Sequence, residues 1–352
     1  KVPESAAVNE SVKLAKKLTR GLSGFVNAIL RSVIREQDSI GIEDLAANAI
    51  EAISFIYNVP LWLINLWISE FGRDKTEDLC AWFNEQPKLT ARINTILIDI
   101  PQCLTMLNEQ GWAVTQDSNY EDIIYINSHR GSLEKSEAFI KGYITFMDKA
   151  SMLVARLVNP QPGERILDCC AAPGGKSMYM AALMDNVGSL MSCDIHEHKI
   201  ELMNSNADRL GASIVHTKVQ DATKLPDSWN SYFDRVLVDA PCSGLGILQK
   251  KLDMRWRKQE SILRELPPLQ LAILERAAMT VKEKGYLIYS TCTLNYKENE
   301  EVVESFLQKH KEFSIIPVVE DFPLKSNSGM ITTYPPTDDM DGFFMVKMQR
   351  IS

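Results

Sequence analysis

At 352 residues the chain is too long for one ordinary domain, and two or three are expected. Apolar residues at 45% and charged residues at 24% make an ordinary globular balance, and no apolar run reaches the ~18 residues that a membrane-spanning helix needs. A net charge of −8 argues mildly against nucleic acid, and seven cysteines, an odd count without CxxC spacing, argue against a disulfide framework and against a zinc or other metal site.

Lys1 rather than Met opens the chain, and Lys1–Arg20 has no continuous apolar core of a signal peptide. A trimmed cytoplasmic protein with reduced thiols is the expectation. Net charge is not local charge. Lys13, Lys16, Lys17, Arg20, Arg31 and Arg35 gather early, and Lys250, Lys251, Arg255, Arg257 and Lys258 gather late. Each cluster reads as readily as a solvated helix face as it does a nucleic-acid contact.

Residues 1–52 are helical in pattern. Val8, Val12, Ala15 and Leu18 recur at helical spacing, as do Leu22, Phe25, Ile29 and Val33, with Gly21 and Gly24 between. Residues 53–140 read as a small α/β module. Pro60 opens a helix through Ile68, Thr76–Phe83 forms another, and Ala91–Ile98 and Ile123–Ile126 read as strands. From 141 to 352 the pattern becomes strand, turn, helix. Arg165–Asp168, Ser189–Asp194, Arg235–Asp239 and Tyr286–Ser290 are short apolar runs, with helices such as Leu269–Lys282 between them. That alternation predicts an α/β fold, a parallel-rich sheet with helices on both faces and ligands at the carboxyl ends of its strands.

The first such end runs from Asp168 through Cys169, Cys170, Ala171, Ala172, Pro173, Gly174, Gly175 and Lys176 to Ser177. Small residues and glycines let a backbone approach a ligand closely. A phosphate-binding P-loop would need glycine where Cys170 stands, and a G-x-G-x-x-G dinucleotide fingerprint is absent. Asp194, at the next strand end, is placed to accept hydrogen bonds from a ribose diol. Asp221 ends a third segment and could face an adenine amino group. A nucleoside cofactor without a pyrophosphate fits these points.

The fourth strand runs into Asp239-Ala-Pro-Cys242-Ser-Gly, the fifth into Ser290-Thr-Cys292-Thr. If the two strands are neighbours, both thiols line one cleft. A lone cysteine, as at Cys80 or Cys103, is usually a small buried hydrophobe. Two at matching strand ends suit covalent catalysis on a pyrimidine: carbon 5 of cytosine is a poor nucleophile until a thiolate adds to carbon 6. The base must leave its stack to be reached. A carboxyl such as Asp239 near ring nitrogen 3 would stabilise the adduct, and Lys176 or a helix N-terminus would favour the thiolate. Spacing alone leaves open which cysteine attacks.

These motifs resemble the RNA 5-cytosine methyltransferases over about residues 141–352. The match includes Cys170–Lys176, the Asp239-Ala-Pro-Cys242-Ser-Gly-Leu-Gly and Ser290-Thr-Cys292-Thr motifs, and Asp341-Gly-Phe-Phe344 as a closing strand. The resemblance implies a class I, Rossmann-like methyltransferase fold, S-adenosyl-L-methionine as cofactor and RNA as substrate. It also implies Cys292 as the attacking thiol and Cys242 as the one that assists release. Residues 5–36, with Asn9-Glu-Ser-Val12 and Gly21-Leu-Ser-Gly-Phe-Val-Asn-Ala-Ile-Leu-Arg31, resemble the end of a NusB-like RNA-binding domain whose first helices would be missing. Pro60-Leu-Trp62 and Arg92-Ile-Asn94 fit the linker that follows such a domain in bacterial enzymes acting on 16S ribosomal RNA. Met147 departs from the family, which usually has glutamine there. Transfer RNA as substrate, a non-catalytic ribosome-assembly role and a small-molecule methyltransferase are the alternatives. Both cysteines and the intact cofactor loop speak against the second, and the extra amino-terminal regions against the third. A monomer without membrane or metal partners is expected.

Overall fold

The computed structural model describes residues 2–19, 21–36, 48–318, 322–324, 326 and 328–351. Arg20 of the early basic cluster and positions 37–47 of the expected helical region lie outside the described residues. The chain divides into two compact units, Lys1–Leu66 and Trp67–Ser352.

The first unit is helical, as the periodicity predicts. It holds α1 (Glu4–Leu18), α2 (Ser23–Glu36), α3 (Ala49–Tyr57) and the start of α4 (Leu61–Phe71). Val8 and Ala15 are the buried positions of α1, whereas Leu22, just before α2, and Phe25, Ile29 and Val33 along it are exposed. The Asn48 side chain caps α3 by accepting from the amides of Ile50 and Glu51, and Asn58 ends it in the left-handed conformation at φ 54°. Pro60 then precedes α4, where a missing N–H costs nothing.

The second unit begins with the rest of α4 and α5 (Arg73–Asn84). An antiparallel sheet follows in the order β2-β3-β1-β4, from β1 (Thr90–Ile93), β2 (Ala113–Gln116), β3 (Ile123–Ser128) and β4 (Ile144–Phe146), with α6 (Ile100–Glu109) and α7 (Glu137–Ile140) alongside. Ala91, Ile93, Ile124 and Ile144 pack with Leu107 and Trp112 in its core. The strand expected at Ala91–Ile98 stops at Ile93. Asn94 turns its amide to the carbonyls of Gly142 and Leu210, at 2.9 and 2.8 Å, and Asp99 caps α6. The apolar run therefore ends in a docking residue rather than continuing a ladder.

The large sheet follows α8 (Lys149–Val158). Its elements are β5 (Arg165–Asp168), α9 (Gly175–Leu183), β6 (Ser189–Asp194), α10 (Glu197–Leu210), β7 (Val215–Val219), β8 (Phe233–Asp239), α11 (Met254–Arg257), α12 (Ile262–Ala278), β9 (Val281–Thr291), α13 (Glu300–Lys309), β10 (Phe313–Ile315), β11 (Met330–Thr332), α14 (Pro335–Asp338) and β12 (Phe344–Arg350). The strand order is β10-β12-β9-β8-β5-β6-β7, with β11 paired to β12. Strands β5 to β9 run parallel, and β12 lies antiparallel to β9. Alternate residues feed opposite layers: Ile166, Leu237 and Ile288 pack with α8 and α9, while Leu167, Val236, Val238 and Leu287 pack with α12.

Two expected boundaries move. The helix expected at Leu269–Lys282 runs from Ile262 to Ala278 and holds Pro267 and Pro268 in its interior. Two adjacent prolines read as a breaker, since each removes a helical donor. Val281 and Lys282 already belong to β9. The closing strand expected at Asp341–Phe344 begins at Phe344. Because the chain returns across the sheet between β7 and β8, β5 sits between β6 and β8, and the crevice at that switch point is where such sheets bind ligands.

Candidate active site

The turn after β5 is fixed from below by a buried polar chain. Asp168 Oδ2 accepts from Ser177 Oγ at 2.7 Å, and Ser192 Oγ on β6 donates to Ser177 Oγ at 2.9 Å. Asp168 Oδ1 is buried with no hydrogen-bond partner among the described residues, and burial pushes the carboxyl up to about 7. Above it, the Ala171 amide donates to the Cys193 carbonyl at 2.8 Å, and Gly174 takes φ 97° immediately before α9. That conformation strains any residue with a Cβ, so the glycine is a requirement of the turn.

A cavity of about 490 Å³ opens over this end of the sheet. Of the residues singled out in the sequence, Cys170, Ala172, Asp194, Asp221, Asp239, Cys242 and Cys292 line it. Ala171, Pro173, Gly174, Gly175 and Lys176 are not among its lining residues; they form the turn and the start of α9. Asp194 accepts the amide of His196 at 3.0 Å and stands 3.4 Å from Lys199 Nζ. Asp221 spends Oδ1 on Thr223, accepting its amide at 2.9 Å and its hydroxyl at 2.6 Å, and those bonds hold its carboxyl below the usual range. Apolar walls come from Ile195, Ala222, Ile247, Met254, Leu269 and Ile273.

Strands β8 and β9 are parallel neighbours with Asp239 opposite Ser290. That register places both thiols in one cleft: Cys242 Sγ lies 3.2 Å from Cys292 Sγ, and the Cys292 amide donates to Cys242 Sγ at 3.3 Å. Asp239 accepts from Ser290 Oγ at 2.8 Å through Oδ1 and pairs with Lys176 Nζ at 2.7 Å through Oδ2. Burial works against the Lys176 charge, but Asp239, Cys292 and Asp168 outweigh it and hold the ammonium above its ordinary pKa. The Cys242 thiol is pushed well above its ordinary range, first by its hydrogen bond to Cys292 and then by burial. Burial pushes Cys80, Cys103 and Cys193 up to about 12, leaving them inert thiols packed in apolar surroundings.

The late basic cluster divides. Lys250 pairs with Asp148 and, at 2.9 Å, with Asp341, and buried Arg255 donates to the Phe83 carbonyl at 2.6 Å and to Asn84 Oδ1 at 2.8 Å. These two are structural, whereas Lys251 and Arg257 are exposed. The described members of the early cluster, Lys13, Lys16, Lys17, Arg31 and Arg35, are exposed, with Lys13 paired to Glu10 at 2.6 Å.

Sequence reasoning missed the support beneath the thiols. Glu298 is fully buried and accepts from the Ser243 amide, the Ser243 hydroxyl, Gln270 Nε2 and Asn295 Nδ2. Asn299 accepts from Thr291 Oγ1 at 2.6 Å and donates to the Thr293 carbonyl at 3.0 Å, so it grips both neighbours of Cys292. The only local signal was a Glu-Asn-Glu run, which reads as the polar start of a helix. Gly246 was quoted only as the end of a motif. Its amide donates to the Cys292 carbonyl at 3.0 Å, and a Cβ there would lie 1.8 Å from the Gly342 carbonyl oxygen.

Residues 155–349 match the family model for 16S rRNA methyltransferase RsmB/F, residues 59–131 its ferredoxin-like domain, and residues 1–35 the NusB family. A probable ribosomal RNA small subunit methyltransferase B of Bacillus subtilis is 36% identical, over 99% of this chain and 79% of that protein. One from Synechocystis is 37% identical over the same shares. The crystal structure of PH0851 superposes with a TM-score of 0.86 at 28% identity, covering 98% of this chain and 77% of that one. NSun6 from Pyrococcus horikoshii, solved with SFG, shares the fold at a TM-score of 0.74 and 21% identity, over 82% and 97% of the two chains. An RNA methyltransferase with a Rossmann-like catalytic domain, the chain belongs to the 16S rRNA methyltransferase RsmB/F family.

Proposed function

We propose that the chain transfers a methyl group from S-adenosyl-L-methionine to carbon 5 of a cytosine in 16S ribosomal RNA, through a covalent bond between Cys292 and carbon 6. One observation carries this reading: two thiols 3.2 Å apart at the ends of neighbouring strands, beside the Asp239–Lys176 pair. The 16S substrate comes from the family and the relatives, and the extra amino-terminal regions suit it. We assign 1–52 to a NusB-like RNA-binding region, 53–140 to a linker module and 141–352 to catalysis.

The residues present fit the cofactor. The cavity has the size and the mainly apolar walls of a small-molecule site, with carboxylates at two strand ends. Asp194 would take the ribose diol and Asp221 the adenine amino group, while Cys170, Ala172 and Asp239 bound the rest; Ala171, Pro173, Gly174, Gly175 and Lys176 hold the loop in shape. When bound, the cofactor supplies an electrophilic methyl group.

The protein's own steps concern the base. Lys176 favours negative charge on Cys292, which adds to carbon 6. As the electron pair moves through the ring, ring nitrogen 3 takes a proton from the Lys176 ammonium by way of the Asp239 carboxylate paired with it, and gives it back when carbon 6 leaves Cys292. Attack consumes the Cys292 charge and breaks the thiol–thiol hydrogen bond, the first of the causes that keep the proton on Cys242. Cys242 then gives its own proton to solvent, and its thiolate takes the carbon 5 proton as the bond between carbon 6 and sulfur breaks and Cys292 leaves as a thiolate. RNA carrying 5-fluorocytidine has no carbon 5 proton to remove. It should trap a protein–RNA adduct that survives denaturing electrophoresis and maps to Cys292. An adduct on Cys242, or methylated product without any adduct, overturns the mechanism.

A further inference from the structure

The two cysteines sit between groups of opposite charge. The Lys176 ammonium, paired with Asp239 at 2.7 Å, is among the charges that interact with Cys292. On the other side, Glu298 is fully buried under Ser243, the residue that follows Cys242. Its four partners, the Ser243 amide and hydroxyl and the Gln270 and Asn295 amides, are all neutral donors. Glu298 has no ion pair among the described residues. A carboxylate, an acceptor on both oxygens, suits four donors where a glutamine would turn an NH2 group toward them. The charge is therefore built in, solvated by neutral dipoles and not cancelled.

The same residue fixes position. Gln270 Nε2 bridges Glu298 at 2.9 Å and the Pro241 carbonyl at 3.0 Å, so both chain neighbours of Cys242 are tied to this one carboxylate. We propose that Glu298 is a positioning residue that assigns the roles of the two thiols: its buried negative charge keeps the proton on Cys242 and leaves the charge to Cys292. This rests on the covalent reading above. It gives a physical reason, from the chain's own residues, for the division of labour that motif spacing left open. The direction of the Cys242 shift agrees, since Glu298 is one of its causes, after the Cys292 hydrogen bond, burial and the Cys292 charge. The other titratable groups about the pair, Asp239, Tyr289 and Cys170, are the same for any change at Glu298.

The test labels the intact protein with iodoacetamide at neutral pH, without RNA or cofactor, and reads each cysteine by peptide mass spectrometry. The wild type should label Cys292 well ahead of Cys242. Glu298→Gln, scored only if its circular dichroism is native, should raise the Cys242:Cys292 ratio about tenfold, the effect of one pKa unit. An unchanged ratio overturns the proposal. Ser243→Ala and Glu298→Asp keep the charge, disturb the hydrogen bonds and should keep the wild-type ratio. If either shifts it tenfold, placement and not charge sets the roles, and the proposal falls even where Glu298→Gln does not fold. Labelling involves no methyl transfer, so failure to trap an adduct on Cys292 would overturn the covalent reading while leaving this ratio to be read.

Discussion

At the scale of the residue, proximity and equivalence are different things. Cys242 and Cys292 lie 3.2 Å apart, yet Cys292 interacts with the Lys176 ammonium, whereas buried Glu298 holds the amide of Ser243, next to Cys242. Cys292→Ala should abolish methyl transfer to the limit of a radiolabel assay. Cys242→Ala should still attack but accumulate a protein–RNA species on denaturing gels; normal turnover would remove its release role. Asp168 gives a prediction about stability. Its folded pKa, about 7, lies above the unfolded value near 3.9, so the folded state holds the proton more tightly. The stabilisation is full below the unfolded value and is lost as pH rises through about 7. Asp168→Asn, neutral at every pH, should flatten the fall in melting temperature between roughly pH 4 and pH 7; an unchanged slope would mean that Asp168 is not the group responsible.

At the scale of the element, the site depends on where strands end and how closely loops approach. The ends of β5 and β6 fall where the apolar runs predict, because a strand buried on both faces is written as a continuous apolar run. The thiol cleft was legible for the same reason, once β8 and β9 proved to be neighbours. Helix α12 was not, since Pro267 and Pro268 argue locally against a helix that tertiary packing of Ile273, Leu274 and Ala277 holds in place. Glu298 was illegible too: burial of a polar residue depends on what folds over it. Gly246 tests the loop approach. Gly246→Ala would drive a Cβ against the Gly342 carbonyl, which is backbone and gives way only if a loop moves. The expected result is a loss of activity of at least tenfold, with destabilisation of about 1–3 kcal/mol in urea melts. Wild-type activity would show that the contact does not hold Cys292 in place.

At the scale of the whole molecule, a net charge of −8 did not exclude RNA, because the relevant charges are local. It mattered which of them stay in solvent. Lys250 and Arg255 are consumed by the fold, whereas Lys251 and Arg257 face water near a cavity that Met254 helps to line. Replacing Lys251 and Arg257 together by glutamate should weaken RNA binding about tenfold or more and reduce its salt dependence, with cofactor binding unchanged. Lys250→Ala should instead lower the melting temperature, by unpairing buried Asp341. The helical start, the small sheet and the strand–helix alternation were each visible as sequence patterns. The exposed apolar line on α2 suits a short helical piece that buries little core by itself, since periodicity names a stripe without saying what covers it.

The central claim concerns one bond made on one atom. The most direct measurement incubates the protein with S-adenosylmethionine labelled in its methyl group and a 16S transcript, digests the RNA and resolves its nucleosides. Label in 5-methylcytidine from a single site, and none with Cys292→Ala, is the result predicted here. Label in any other nucleoside, or undiminished 5-methylcytidine from Cys292→Ala, would contradict it.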